Sequence, residues 1–197
     1  MLFDIYIVNI LLQKTCLFYF IIFCMKQIIV ISGKQYSGKD TLAKILLEKL
    51  IDFKRIGIGD AIKIKYGQDK GLSFEEIETN KHLYRADLIE LGNFGRSIDC
   101  DYWLKNLADM DKIIVPDVRV EHELNFFKSR GAFLVRVESS EANRANRGIL
   151  TNANDATETA LDNYECWNFV VNNNADYDSL ILEANKVVDA FNKFIAY

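Results

Sequence analysis

Proline is almost absent from this chain, with Pro116 the only one among 197 residues. Neither an internal repeat nor a low-complexity segment is present, so nothing marks a flexible linker between domains. Histidine is nearly as scarce, and His82 and His122 carry no partner pattern. The four cysteines (Cys16, Cys24, Cys100, Cys166) are scattered without a C-x-x-C pair or metal-type histidine spacing, which points to reduced thiols and away from a zinc site. A basic surplus is also missing. The net charge of −4 argues against a nucleic-acid polymer as the main partner, although a local basic cluster can still hold a small anion.

No uninterrupted apolar run reaches the ~20 residues that a membrane span needs. Residues 1–24 are strongly apolar but are broken by Asn9, Gln13 and Lys14, and their start lacks the positive charge of a signal peptide. Met25 then opens "MKQIIVISGK". Residues 1–24 are therefore read as mis-assigned upstream sequence, with a membrane anchor or an extra packed element as the alternative. The domain is read as residues 25–197. Its composition, half apolar and a quarter charged, suits a soluble chain with a buried core, and a cytoplasmic location is expected.

What is present is an alternation of strand and helix patterns. "QIIVIS" (27–32) is a short β-branched run of the kind buried on both faces of a sheet. Residues 41–50 place Leu42, Ile45, Leu46 and Leu50 on one helical stripe. "RIGIG" (55–59) is read as a second strand, and residues 61–109 as mostly helical with breaks at 67–71 and 97–101. Strands at 112–116, 132–138 and 168–173, and a final helix over 178–194, complete a mostly parallel α/β sheet covered on both faces.

The chemistry centres on "VISGKQYSGKDTL" (30–42), a phosphate-binding loop of the form Gly33-x4-Gly38-Lys39. Gly33 and Gly38 supply the backbone freedom to wrap an oxyanion, and the helix that follows offers its N-terminus to phosphates. The usual Ser or Thr after the lysine is replaced by Asp40, and Thr41 comes one residue late. Consecutive helix residues point ~100° apart, so Thr41 does not stand in for that hydroxyl. A carboxylate is, however, a hard oxygen ligand for Mg²⁺.

Asp117, in "IIVPDVR", sits where open α/β sheets bind ligands and is a second candidate for the metal. Lys63, Lys65, Arg85, Arg96 and Arg119 are candidate anion binders. Arg144 and Arg147 fall on one helical turn before a polar segment. That pattern is expected to form a mobile lid, at about 140–160, that closes on the transferred phosphate and excludes water.

Taken together, "SGKQYSGKDT", "KIKYGQDKGLSFEEI", "YRADLIELGNFGRSIDCDYW", "VPDVRVEHEL" and "RANRGILTNANDATETALDNYECWNFVVNN" resemble two groups of kinases. One is the animal-type phosphomevalonate kinases, the other a bacteriophage deoxynucleoside monophosphate kinase, and in both Asp follows the lysine. The resemblance spans nearly all of 26–197 and none of 1–24. It implies an adenylate-kinase-like three-layer αβα fold with a helical acceptor-binding region at about 61–109 and a mobile lid.

It also implies ATP on Gly33, Lys34, Ser37, Gly38, Lys39, Asp40 and Thr41, and Mg²⁺ on Asp40 and Asp117. Lys63, Arg85, Arg96 and Arg119 would meet a small phosphorylated acceptor. Lys39, Asp40, Arg144 and Arg147 would carry the transfer. Gln35, Tyr36 and Val120 stand where phosphomevalonate kinases carry further basic residues, which weighs on the acceptor rather than on the kinase. A (deoxy)nucleoside monophosphate kinase and a non-catalytic nucleotide-binding module are the alternative functions.

Overall fold

The computed structural model describes residues 26–150 and 156–196. The expectation about residues 1–24 falls outside them, as does part of the expected lid, residues 151–155. Five strands, β1 (Ile28–Ser32), β2 (Lys54–Arg55), β3 (Ile113–Val115), β4 (Phe133–Glu138) and β5 (Phe169–Asn172), form one sheet in the order β2-β3-β1-β4-β5. Every pairing is parallel.

The alternation of side chains along β1 divides the core. Ile28 and Val30 face a cluster containing Trp103, Leu107, Leu124 and Phe127, whereas Ile29 and Ile31 face Leu42, Leu46, Ala184 and Phe191. The second face is covered by α1 (Lys39–Lys49) and the closing helix α9 (Tyr177–Ile195). The first is covered by α2 (Ile58–Lys70), α5 (Tyr102–Ala108) and α6 (Glu121–Lys128). This is the three-layer αβα arrangement that the sequence leads one to expect. No helix among the described residues is long and apolar enough to cross a membrane.

The helical arm expected over 61–109 is present, with shifted joints. α2 runs through Gly67 and stops at Gly71, whose φ of 70° lies in the left-handed region that glycine adopts readily. α3 (Phe74–Thr79) starts on a capping box in which the Ser73 hydroxyl accepts from the Glu76 N–H. α4 (Lys81–Ile98) then packs its Gly95 against Trp103, whose indole donates to Gly92 O at 3.0 Å. A Cβ at position 95 would lie 2.6 Å from the indole nitrogen. Gly95→Ala is therefore expected to destabilise the fold by about 1–3 kcal/mol, read as a lowered urea midpoint at constant m-value.

The reading of 55–59 as a strand is corrected. β2 ends at Arg55, and Gly57 caps α2, where the Asp60 carboxylate accepts the Gly57 N–H at 2.8 Å. A carboxylate three residues after a glycine favours the helical start over two further strand residues. His122 lies on the surface, where its Nε2 is 2.7 Å from Asp101 Oδ1 with the Cys100 thiol beside it.

Candidate active site

The phosphate loop joins β1 to α1. Gly33 (φ 156°) and Gly38 (φ 99°) make the turns, and a Cβ on Gly38 would lie 2.2 Å from the Asn173 amide nitrogen, so only glycine fits there. Gly38 caps α1 without a side-chain hydrogen bond, which leaves the first-turn N–H groups of Lys39, Asp40 and Thr41 available to an anion.

Two buried polar groups belong to the loop and its helix. The Ser37 hydroxyl is sealed from solvent yet makes no hydrogen bond among the described residues. The Lys39 amine, also buried, donates to Lys34 O at 2.8 Å and has no carboxylate bonded to it among the described residues. Burial, helped by the positive charge of Arg119, pulls the Lys39 pKa down to about 8. A buried, desolvated ammonium beside uncapped amides offers donors of the kind that phosphate oxygens accept.

Asp40 lies at the start of α1, mostly exposed, and accepts Arg55 Nη2 at 2.8 Å. The other arm of Arg55 reaches Asp60 at 3.0 Å. Burial works against the charge on Arg55, but Asp40 and Asp60 outweigh it and raise its pKa. Burial likewise opposes ionisation of Asp60, yet the Gly57 N–H and Lys63 prevail and hold it below the usual carboxylate range. Lys63 is tied to Asp60 at 2.9 Å and to Glu78, which keep its pKa up against the effect of burial.

Asp117, at the end of β3, accepts the Ile58 N–H at 2.9 Å and the Gly59 N–H at 3.2 Å. It therefore closes the N-terminus of α2. Burial raises its pKa in spite of these two donors.

These groups line two adjoining clefts. The first, about 610 Å³, lies over the loop and includes Lys39, Thr41, Arg119 and Arg147. The second, about 940 Å³, opens toward the helical arm and includes Lys63, Arg85 and Arg96 with an apolar wall of Ile62, Phe74, Leu88 and Ile89. Asp40, Arg55 and Asp117 line both. The structure thus brings Gly38, Lys39, Asp40, Thr41, Asp117, Arg119 and Arg147 to one cleft, and Lys63, Arg85 and Arg96 to its neighbour, whereas Lys34, Ser37 and Arg144 line a separate pocket with Arg136 and Asp162. Lys65 stays outside, paired with Asp69 on the exposed side of α2.

The two arginines expected in a lid sit on α7 (Glu141–Arg147) and donate to backbone carbonyls of the loop. Arg144 Nη1 donates to Gln35 O at 3.4 Å. Arg147 donates to Tyr36 O at 3.3 Å, to Ser37 O at 3.4 Å and to Asn173 O at 2.9 Å. Lys34 pairs with Asp162 at 2.7 Å, and the buried Arg136 reaches the same carboxylate at 3.3 Å. Sequence reasoning missed Arg55, Arg136, Glu158 and Asp162. Arg55 was legible from its place at the end of a strand beside β3, had the strand been drawn to stop there.

The family model described as phosphomevalonate kinase matches residues 31–133, a stretch that runs from the phosphate loop to the start of β4. No curated protein matches the chain significantly by sequence. Among solved structures, a shikimate kinase from Aquifex aeolicus vf5 is 19% identical with a TM-score of 0.50, over 83% of this chain and 96% of that one. A shikimate kinase from Acinetobacter baumannii, solved with shikimate, is 14% identical with a TM-score of 0.51, over 86% and 94%. TT1252 from Thermus thermophilus is 16% identical with a TM-score of 0.51, over 84% and 97%. At these identities the likeness is one of fold.

Proposed function

The chain belongs to the phosphomevalonate kinase family of small-molecule phosphotransferases, and on that footing we propose that it moves the γ-phosphate of ATP onto the phosphate of a small phosphomonoester, phosphomevalonate or a close analogue. One observation carries this reading: a phosphate-loop cleft and a cation-lined cleft meet at Asp40, Arg55 and Asp117. Two anionic substrates held one in each cleft would bring donor and acceptor oxygens together at that junction. The protein's contribution is alignment and charge, since phosphoryl transfer asks little covalent chemistry of it.

In this reading Gly33, Lys34, Ser37, Gly38, Lys39, Asp40 and Thr41 bind ATP. Lys39, Asp40, Arg144 and Arg147 serve the transfer. Lys63, Arg85 and Arg96 receive the acceptor in the second cleft, and Arg119 reaches its phosphate from the first. The carboxylates of Asp40 and Asp117 are hard oxygen donors facing one cleft and suit Mg²⁺, which when bound neutralises charge on the phosphates. Arg55 offsets Asp40 until a cation does. Residues 25–197 act as one kinase domain in the cytoplasm, with residues 61–109 as the acceptor region and 140–160 as the lid.

A (deoxy)nucleoside monophosphate is the second acceptor reading, favoured by the size of the second cleft and its apolar wall, which suit a flat ring. Acceptor-dependent ADP release over a panel of phosphomevalonate and nucleoside monophosphates tests both. Turnover with phosphomevalonate alone is expected. Turnover with nucleotides alone transfers the function to the second reading. ATP binding with no acceptor-dependent release makes the chain a nucleotide-binding module and overturns the proposal.

A further inference from the structure

Helix α8 (Ala156–Thr159), in the polar segment that precedes β5, places a carboxylate behind the phosphate loop. The Glu158 side chain is only 5% exposed. Its Oε2 accepts the Gln35 N–H of the phosphate loop at 2.8 Å, and its Oε1 accepts Arg119 Nη1. Arg119 and Gln35 line the cleft over the loop, and Glu158 stands behind them. Burying a carboxylate beside a phosphate site costs desolvation and repels the ligand, so it is sustained only by strong partners. The partners here are a cation of the site and a backbone amide of the loop.

We propose that Glu158 is a positioning residue of the kinase: by joining the Arg119 guanidinium to the Gln35 amide from behind, it sets the acceptor-side cation in register with the phosphate loop. Without Glu158, Arg119 would hang on its own rotamers, and its charge would face Lys39 and Arg136 with no compensating carboxylate at that point. The same negative charge also favours the protonated form of Lys39, which Arg119 and Arg136 oppose. Asp162, one turn further on, does for Lys34 and Arg136 what Glu158 does for Arg119. The polar segment is therefore part of the frame of the site, as well as a cover for it.

This inference rests on the proposed function through Arg119, so the test has one arm that needs turnover and one that does not. In the full chain, Glu158→Ala is expected to lower kcat/KM for the acceptor by about 10²-fold, the scale of a misplaced positioning group. In an Arg119→Ala background the same change should add less than about threefold, because the two side chains act as one unit. Equal losses in both backgrounds overturn the proposal.

Glu158→Gln keeps the volume and an oxygen for the Gln35 N–H but loses the charge on Arg119. It should fold as the parent does, retain loop protection and still lose about tenfold in turnover. Parental turnover in Glu158→Gln also overturns the proposal. Independently of any acceptor, amide hydrogen exchange over residues 33–38 should quicken in Glu158→Ala and stay near parental in Glu158→Gln. Unchanged exchange in Glu158→Ala overturns the tie to the loop. A parent without acceptor-dependent turnover sinks the proposed function and leaves the exchange measurement to decide this one.

Discussion

Lys39→Met is expected to lower turnover by at least about 10³-fold while leaving the fold intact, the scale on which removing one charge-stabilising donor from a phosphoryl-transfer site acts. The ligand-free protein should be slightly more stable than the parent. The ammonium is buried and pulled down to about 8, mainly by burial and then by Arg119, so replacing it with an apolar chain of similar length relieves an unfavourable charge. The lost hydrogen bond to Lys34 O limits that gain.

The same depressed pKa fixes a pH dependence. In the free enzyme the amine discharges as pH rises through about 8, so kcat/KM for ATP should fall above that point. Bound phosphates favour the charged amine, so kcat should hold to higher pH. For stability the sign is opposite. The folded pKa lies below that of the unfolded chain, about 10.4, so between the two the unfolded state binds more protons and this group adds stability as pH rises. Lys39→Met removes that rise. A variant that keeps more than a tenth of parental turnover would overturn the role of Lys39.

Much of this frame was legible in the sequence because its signals are local. The β-branched run before Gly33 gives β1, and the Leu42–Ile45–Leu46 stripe gives α1. Leu180, Ala184, Val187 and Phe191 give the buried face of α9. The loop was legible for the same reason, since Gly33, Gly38 and Lys39 sit within one turn of chain.

Arg55 was missed through an error of two or three residues. Drawing a strand over 55–59 puts Arg55 at the end remote from the ligand, whereas a strand that stops at Arg55 puts it in the site. Glu158 and Asp162 were missed for another reason. Their partners lie 26 to 128 positions away, and no period or spacing in a polar segment marks which carboxylate will be buried. The pairing of His122 with Asp101 was hidden likewise, because it forms only when α5 and α6 pack side by side.

Arg147→Ala should show how far α7 is tied to the loop. From sequence alone Arg147 is an arginine for the transferred phosphate, whose loss falls mainly on kcat. In the structure its fork also holds Tyr36 O, Ser37 O and Asn173 O, and the Asn173 amide donates to the same Ser37 O at 2.8 Å. Tyr36 is held at a φ of 57°, with its ring so close to Gly148 that a Cβ there would lie 2.2 Å from it. A loop bent this way depends on its clamps. Hydrogen bonds from a charged group contribute about 1.5–3 kcal/mol each when buried and less when exposed, so losing this fork should cost about 10²-fold in kcat and about tenfold in ATP affinity. Arg147→Lys should recover the charge but only part of the loss, because an ammonium cannot span carbonyls from both Tyr36 and Asn173 in the manner of a planar fork. Titration of ATP beside steady-state kinetics separates the cases: unchanged ATP affinity in Arg147→Ala would place the residue on the transferred phosphate alone, and full activity in Arg147→Lys would reduce its part to charge.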